Sequence, residues 1–292
     1  MISDAENIRP VVLTIAGFDP SGGAGVLADV RALAHFDIAP VAAITSLTFQ
    51  NSTAMSGAVH QTAETVRDQI MSLLAAHSIA AVKTGMLPTR EIVLEVVRLV
   101  RDEDLPAPVI DPVMRSSSGF DLMTTVAWDS LLTELMPLAR VITPNIPEAE
   151  RMTGQRISNE DEMRRATERI RAMGARAVLI KGGHLGERKS EIRGQRSEIG
   201  HQKSEVGDQT SGVSERGSGE AIDILDNNGE VTVFRADWIA GPTMRGTGCM
   251  LSAAIAACIA NGMTLKESIA AARNFVTRQF AKRAEAGANH PS

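Results

Sequence analysis

The stretch Val11-Val12-Leu13-Thr14-Ile15-Ala16-Gly17, running into Phe18-Asp19-Pro20-Ser21-Gly22-Gly23-Ala24-Gly25, decides the fold. Its first seven residues are almost wholly apolar. A strand with one wet face would alternate; a continuous run suits a strand covered on both faces. The glycine-rich turn hands over to a helical pattern at 25–35. A buried strand, a tight turn and a helix make the first half of a βαβ unit.

The pattern repeats along the chain. Apolar runs at 41–49, 80–85, 109–113, 141–145 and 177–183 read as further buried strands. Helix candidates lie between them at 63–76, 90–101, 126–134 and 159–173. This alternation predicts a three-layer α/β/α fold around a central, mainly parallel sheet. Residues 221–226 and 230–236 flank Asn227-Asn228-Gly229 and predict a late β-hairpin. Two closing helices are expected at 246–260 and 265–282.

One segment breaks the rhythm. From Lys189 the chain reads KSEIRGQ, RSEIGHQ, KSEVGDQ, TSGV, a tandem repeat with one apolar residue per unit. A coiled coil needs two apolar positions per heptad and tolerates recurrent glycine poorly. Residues 187–219 therefore read as a flexible insertion in a single domain spanning 1–292.

Composition narrows the function. The 292 residues are 43% hydrophobic and 22% charged, enough for a true core. A formal net charge of -5 gives no general electrostatic case for nucleic acid. No run of apolar residues is long enough to span a membrane, and residues 1–10 carry no apolar signal core. With Cys249 and Cys258 as the two cysteines, a cytoplasmic location is expected.

The chemistry concentrates in Arg245-Gly246-Thr247-Gly248-Cys249-Met250-Leu251-Ser252. Two glycines let the backbone bend closely around a ligand, and an alanine-rich helix follows at once. A helix start offers unpaired N–H groups and the positive end of the helix dipole, which suits phosphate. Cys249 lies inside this turn, where a thiol is expected to lose its proton more readily than the ~8.5 of a free thiol.

Polar residues also gather where the predicted strands end, the place where open α/β sheets bind ligands. They include Gln50-Asn51-Ser52, Lys83-Thr84-Gly85-Met86, Asp111-Pro112-Val113-Met114, Thr143-Pro144-Asn145-Ile146-Pro147-Glu148 and Lys181-Gly182-Gly183-His184. Each has a bland reading. Asn145 and Glu148 also suit a helix cap and a first-turn acid, Met86 suits core filling, and Gly22-Gly23-Ala24-Gly25 lacks the Gly-Lys-Ser/Thr of a P-loop. Their joint occurrence beside an anion turn favours a site.

The pieces TIAGFDPSGGAG with Asp29, ITSLTFQNS, KTGMLPT, VIDPVMRSSSG, ITPNIPEAE, VLIKGGH and GTGCMLSAAI resemble, in order, the hydroxymethylpyrimidine/phosphomethylpyrimidine kinases of thiamine biosynthesis. Those kinases belong to the ribokinase-like superfamily, most of whose sugar kinases carry aspartate where Cys249 stands. The resemblance implies a ribokinase-like fold and the use of ATP and Mg²⁺. It implies phosphorylation of 4-amino-5-hydroxymethyl-2-methylpyrimidine, then of its monophosphate to the diphosphate, in a protein that forms a homodimer. It places Gln50 on the polar edge of the pyrimidine, with Gly17, Ala24, Asp29, Met86 and Val113 lining the pocket. Asp111 and Glu148 fall to the metal, while Lys181 and Asn145 fall to the nucleotide. The amides of Gly246, Thr247, Gly248 and Cys249 fall to the migrating phosphoryl group, with Cys249 as general base.

The chain departs from the family's usual Asp-Thr-Lys-Asn-Thr-His before the anion turn, reading Ala240-Gly241-Pro242-Thr243-Met244-Arg245 instead. Arg245 is therefore expected beside the ATP phosphates. Phe18, Leu27 and Met250 also differ from the family, and its glycine-lysine-glycine tail is missing. Two other readings stay open: a pyridoxal or pyridoxine kinase, and a non-catalytic pyrimidine sensor.

Overall fold

The computed structural model describes residues 9–183, 220–237 and 245–288, except Ser52, Asp104 and Ser117. The expected insertion at 187–219 and the altered segment 240–244 lie outside the described residues.

Among the described residues, nine strands form one sheet in the order β3-β2-β1-β4-β5-β6-β7-β8-β9. They are β1 (Val11–Phe18), β2 (Ala39–Gln50), β3 (Met55–His60), β4 (Ile79–Thr84), β5 (Val109–Ile110), β6 (Val141–Ile142), β7 (Ala177–Lys181), β8 (Glu220–Asn227) and β9 (Glu230–Asp237). From β2 to β7 the pairings are parallel. β3, β8 and β9 are antiparallel additions at the edges, the last two being the expected hairpin.

Among the described residues, eight α-helices accompany the sheet: α1 (Gly25–His35), α2 (Ala63–Leu74), α3 (Arg90–Asp102), α4 (Thr125–Ser130), α5 (Ile146–Thr153), α6 (Glu160–Ala172), α7 (Thr247–Ala260) and α8 (Leu265–Ala288). Alternate residues of each strand feed different cores. Leu13, Ile15, Val82, Ile110, Ile142, Val178 and Ile180 pack with α2 to α6. Val12, Ala81, Val109, Val141, Ala177 and Leu179 pack with α1, α7 and α8. Because successive strand side chains point to opposite faces, two cores on one sheet mean three layers. The apolar runs of the sequence are thus covered on both sides, as expected.

Four elements differ from expectation. β3 was hidden, because Met-Ser-Gly-Ala-Val-His is short, contains glycine and buries only Met55. The expected strands at 109–113 and 141–145 stop after two residues each, because Pro112 and Pro144 have no N–H for the ladder. The helix expected at 126–134 begins as α4 and continues as a π-helical turn over Leu131–Leu135.

Leu13 is fully buried, whereas Val126 is 56% exposed. Leu13→Ala should cost about 2–5 kcal/mol in urea unfolding, and Val126→Ala should stay within about 0.5 kcal/mol of the parent. Equal losses would contradict the layer assignment.

Candidate active site

The glycine turn after β1 is built by Asp19. Its Oδ1 accepts from the Ser21 N–H at 2.8 Å and the Ser21 hydroxyl at 2.7 Å, while Oδ2 accepts from the Ala24 N–H at 2.9 Å. Ala24 becomes the N-cap of α1. Gly25 follows at φ +58°, and a Cβ there would lie 2.2 Å from the Gly17 carbonyl oxygen. Only glycine fits both the backbone angle and the approach.

α7 starts against this turn. Gly246 is its N-cap, at φ +74°, and a Cβ there would lie 2.0 Å from the Gly23 carbonyl oxygen. No side chain caps the helix. The Met250 N–H is bonded back to the Gly246 carbonyl at 2.9 Å, so the amides of Thr247, Gly248 and Cys249 precede the helical ladder. An uncapped start held by backbone contact is suited to an anion.

Beneath it lies a buried ion pair that sequence reading missed. Lys83 on β4 contacts Asp29 Oδ2 on α1 at 2.7 Å, and both side chains are 0% exposed. The Thr14 hydroxyl donates to the same oxygen at 2.6 Å, since Thr14 stands beside Lys83 in the β1–β4 register. Asp29 Oδ1 is buried without a partner. Burial pushes the Asp29 carboxyl above its ordinary range, against the pull of Lys83. Burial draws the Lys83 ammonium down, but Asp29, Cys249 and Asp111 outweigh it and hold it above its ordinary range. Each charge is tolerated because the other is there. The signal was legible: a lysine inside an apolar strand and an aspartate inside an apolar helix have to find one another.

A second pair flanks the helix start. Lys181 at the end of β7 donates to Asp111 Oδ1 at 2.9 Å. A Cβ on Gly248 would lie 3.0 Å from Lys181 Nζ and 3.6 Å from Asp111 Oδ2, so this pair meets the phosphate turn directly. Asn145 and Glu148 form a reciprocal cap at the start of α5, which is one of the two roles the sequence allowed them. Glu148 is 5% exposed. Burial pushes its carboxyl up to about 7, with Lys181 pulling down and Asp111 pushing up. Among the described residues no three His, Cys, Asp or Glu side chains gather as a cage. Two crowded carboxylates, one of which favours a proton, suit a hard cation that completes its shell with phosphate oxygens and water.

The remaining residues line the other side. A Cβ on Gly17 would lie 2.9 Å from Met86 Sδ, and Met86 packs with Met55, Leu122 and Val113. Gln50 pairs across from Met55 in the β2–β3 register. Gly17, Met86 and Val113 thus gather beside the β2–β3 end that carries Gln50, while Ala24 lies in the turn before α1 and Asp29 is buried within α1.

Two expectations are corrected. Cys249 as a residue is half-buried, yet its sulfur is crowded enough that burial pushes the thiol up to about 12. Lys83 and the Gly25 N–H lower it, while Asp111 and Asp29 raise it. The helix start does not leave the thiol more acidic, because burial, with two nearby carboxylates adding to it, holds the proton on the sulfur. Arg245, expected beside the ATP phosphates, instead donates from Nη2 to Gln50 Oε1 at 2.9 Å and from Nη1 to the Asn51 carbonyl. Its length carries the charge away from the Lys181–Asp111 corner and towards the end of β2.

A family model described as phosphomethylpyrimidine kinase matches residues 19–292. The chain belongs to the phosphomethylpyrimidine kinase family. It is 35% identical over 268 residues to the hydroxymethylpyrimidine/phosphomethylpyrimidine kinase of Streptomyces coelicolor, covering 92% of this chain and 87% of the relative. The phosphomethylpyrimidine kinase of Clostridium difficile superposes with a TM-score of 0.71 at 32% identity, over 93% of this chain and 99% of the other. Bacillus subtilis pyridoxal kinase, solved as an ADP complex, gives 0.73 at 30% identity, over 92% and 90%. The chain is accordingly a phosphotransferase of the ribokinase-like superfamily with an ATP-binding kinase fold.

Removing one partner of the buried pair should be costly. Lys83→Met is expected to lose about 3–5 kcal/mol in urea unfolding. The Asp29 carboxyl is raised in the fold, so its protonated form favours folding, and that contribution fades as pH rises through the folded value. Without Lys83 that carboxyl is raised further and stays protonated to higher pH than in the parent, so the deficit of the variant should grow as pH rises. A deficit that is flat with pH would show that Asp29 is not the group left exposed to the loss.

Proposed function

We propose that this chain transfers the γ-phosphoryl group of ATP to the hydroxymethyl oxygen of 4-amino-5-hydroxymethyl-2-methylpyrimidine, and then phosphorylates the monophosphate to the diphosphate. The observation that carries the reading is the meeting of the uncapped α7 start with two lysine–carboxylate pairs and Cys249 in one corner. Phosphoryl transfer is catalysed mainly by positioning and by neutralising negative charge spread over the phosphoryl oxygens. The amides of Gly246, Thr247, Gly248 and Cys249 and the ammonium of Lys181 supply that. Asp111 and Glu148 would hold Mg²⁺, which would add charge neutralisation at the phosphate oxygens, and Asn145 fixes Glu148 through their shared cap. Removal of the metal with a chelator should abolish turnover.

Cys249 takes the substrate's proton in this reading. Its resting form is the thiol. Asp111 and Asp29 oppose its ionisation, and Lys83 favours it. Asp111 and Glu148 would hold a cation that would offset part of the negative charge opposing ionisation of the sulfur, while Lys83 and the Gly25 N–H favour it.

Gln50 is suited to the polar edge of an aminopyrimidine, because one amide donates and accepts. Gly17, Ala24, Met86 and Val113 leave room for a flat ring. A pyridoxal kinase is the second reading, favoured by the likeness to the Bacillus subtilis enzyme. A non-catalytic sensor would have no use for the buried Lys181–Asp111 pair against the phosphate turn.

No helix among the described residues is long and apolar enough to cross a membrane; we place the protein in the cytoplasm. We also propose a homodimer. Leu47, Phe49 and Val59 are 42%, 54% and 52% exposed on adjoining strands β2 and β3, an apolar face that a second copy could cover. Sedimentation should give twice the chain mass, and Phe49→Glu should shift it towards monomer; a monomeric parent would end the dimer reading.

Product analysis tests the activity. With ATP and the pyrimidine alcohol, monophosphate should appear first and diphosphate after it. Turnover of pyridoxal alone would select the second reading, and binding without ATP consumption would select the sensor. Cys249→Ser should fold normally and lose roughly 10²–10⁴-fold in kcat, since a hydroxyl is a far weaker acid than a thiol. Parental turnover in that variant would remove the sulfur from the reaction.

A further inference from the structure

Arg245 joins three parts of the site that are far apart in sequence. It immediately precedes the turn into α7. Its guanidinium crosses to the end of β2, where Nη2 donates to Gln50 Oε1 at 2.9 Å and Nη1 donates to the Asn51 carbonyl. Its Cβ lies 3.8 Å from the position of a Cβ on Gly23, so it also leans on the glycine turn. Its Nε is buried and has no partner.

A guanidinium has five donors and no acceptor. The end of the Gln50 amide that faces Arg245 is therefore the carbonyl oxygen, on chemical grounds alone. Turning the amide over would set its NH₂ against the guanidinium, donor to donor. Gln50 thus has a fixed polarity, and a charge-assisted bond holds it. Its Nε2 keeps two donors for a ligand, and Oε1 keeps one lone pair.

We infer that Arg245 determines acceptor specificity by locking the Gln50 amide in one orientation. The inference rests on the kinase reading above and deepens it. A locked amide matches a ring edge on which an acceptor stands next to a donor, in one order only. An aminopyrimidine has such an edge, a ring nitrogen beside an exocyclic NH₂. A pyridoxal ring offers an oxygen beside an aldehyde oxygen, and an amide in either orientation satisfies only one of two acceptors, so the lock favours the pyrimidine and gives pyridoxal nothing. Without Arg245 the amide turns freely and the two rings are distinguished less well. The buried Nε–H has no partner within the protein, so an acceptor on a bound ring would satisfy it. Arg245 is a positioning residue on this account, acting through Gln50.

The experiment is steady-state kinetics of the full chain and its Arg245 variants with the pyrimidine alcohol, pyridoxal and ATP. Arg245→Ala should raise KM for the pyrimidine about 10-fold or more, leave kcat within about 3-fold, and leave KM for ATP unchanged. The preference for pyrimidine over pyridoxal in kcat/KM should fall about 10-fold. Arg245→Gln, which can face either end of an amide, should lose the preference equally. Arg245→Lys should not restore it, because an ammonium lacks the fork that spans Gln50 and Asn51. Thermal melting of each variant reports folding, and where one variant fails to fold the others carry the comparison. An unchanged preference in the folded variants would overturn the inference. So would a rise confined to KM for ATP, which would return Arg245 to the nucleotide. Absence of pyrimidine turnover by the parent chain would overturn the kinase reading, and this inference with it; failure confined to the variants leaves the kinase reading standing.

Discussion

The contact between Lys83 and Asp29 is the constraint around which the site is arranged. Two opposite charges sit fully buried between the sheet and the layer of α1, α7 and α8. Replacing such a pair with apolar residues of equal volume is often neutral or favourable, so stability is a poor explanation for it. Position is a better one. The pair ties α1 to β4, and Thr14 ties both to β1. The turn between β1 and α1 is then held at both ends, and the Gly25 N–H is set against the sulfur of Cys249. Loosen the pair and the glycine turn, the start of α7 and the thiol lose their common reference.

The second pair stands on the same principle at the other side of the helix start. Asp111 follows β5 and Lys181 ends β7, with β6 between them in the sheet. Their contact therefore spans a strand, and it closes under Gly248, where any side chain would meet the ammonium. Both lysines stay charged because the carboxylates around them outweigh burial. The corner holds paired charges in a low-dielectric setting, so on the proposed reading an arriving phosphate or cation would meet groups already in place. Little rearrangement is needed, which is the condition for strong electrostatic stabilisation.

Much of this was legible in the residues. Unbroken apolar strands announced a sheet covered on both faces, and Gly-Thr-Gly-Cys before an alanine-rich run announced a helix start fit for an anion. The polar ends of β1, β4 and β7 and the residues just after β5 and β6 pointed to the same edge of the sheet. What stayed hidden depended on distance in space rather than on pattern. Lys83 was read as part of a strand end, though an interior lysine has to find a buried partner. Asp19 looked like a turn residue, and its two oxygens organise that turn. The acidity of Cys249 was misjudged because the helix dipole is visible in sequence while Asp29 and Asp111 beside the sulfur are not. Arg245 was assigned by its neighbours in the chain, yet a long side chain answers to whatever lies within its reach.

The same electrostatics bears on why a thiol stands at position 249. Asp29, Asp111 and Glu148 already share the corner with two lysines, and Glu148 is pushed up to about 7 by burial and by Asp111. A further permanent carboxylate would add a fourth acid to two bases in a place that penalises unmatched charge. A thiol raised to about 12 is neutral at rest and adds nothing to that imbalance. It also answers to Asp111, since that carboxylate is one of the causes holding it protonated. On the proposed reading, the thiol offers a base without placing another permanent charge in the corner, and an ionised aspartate at that position could not.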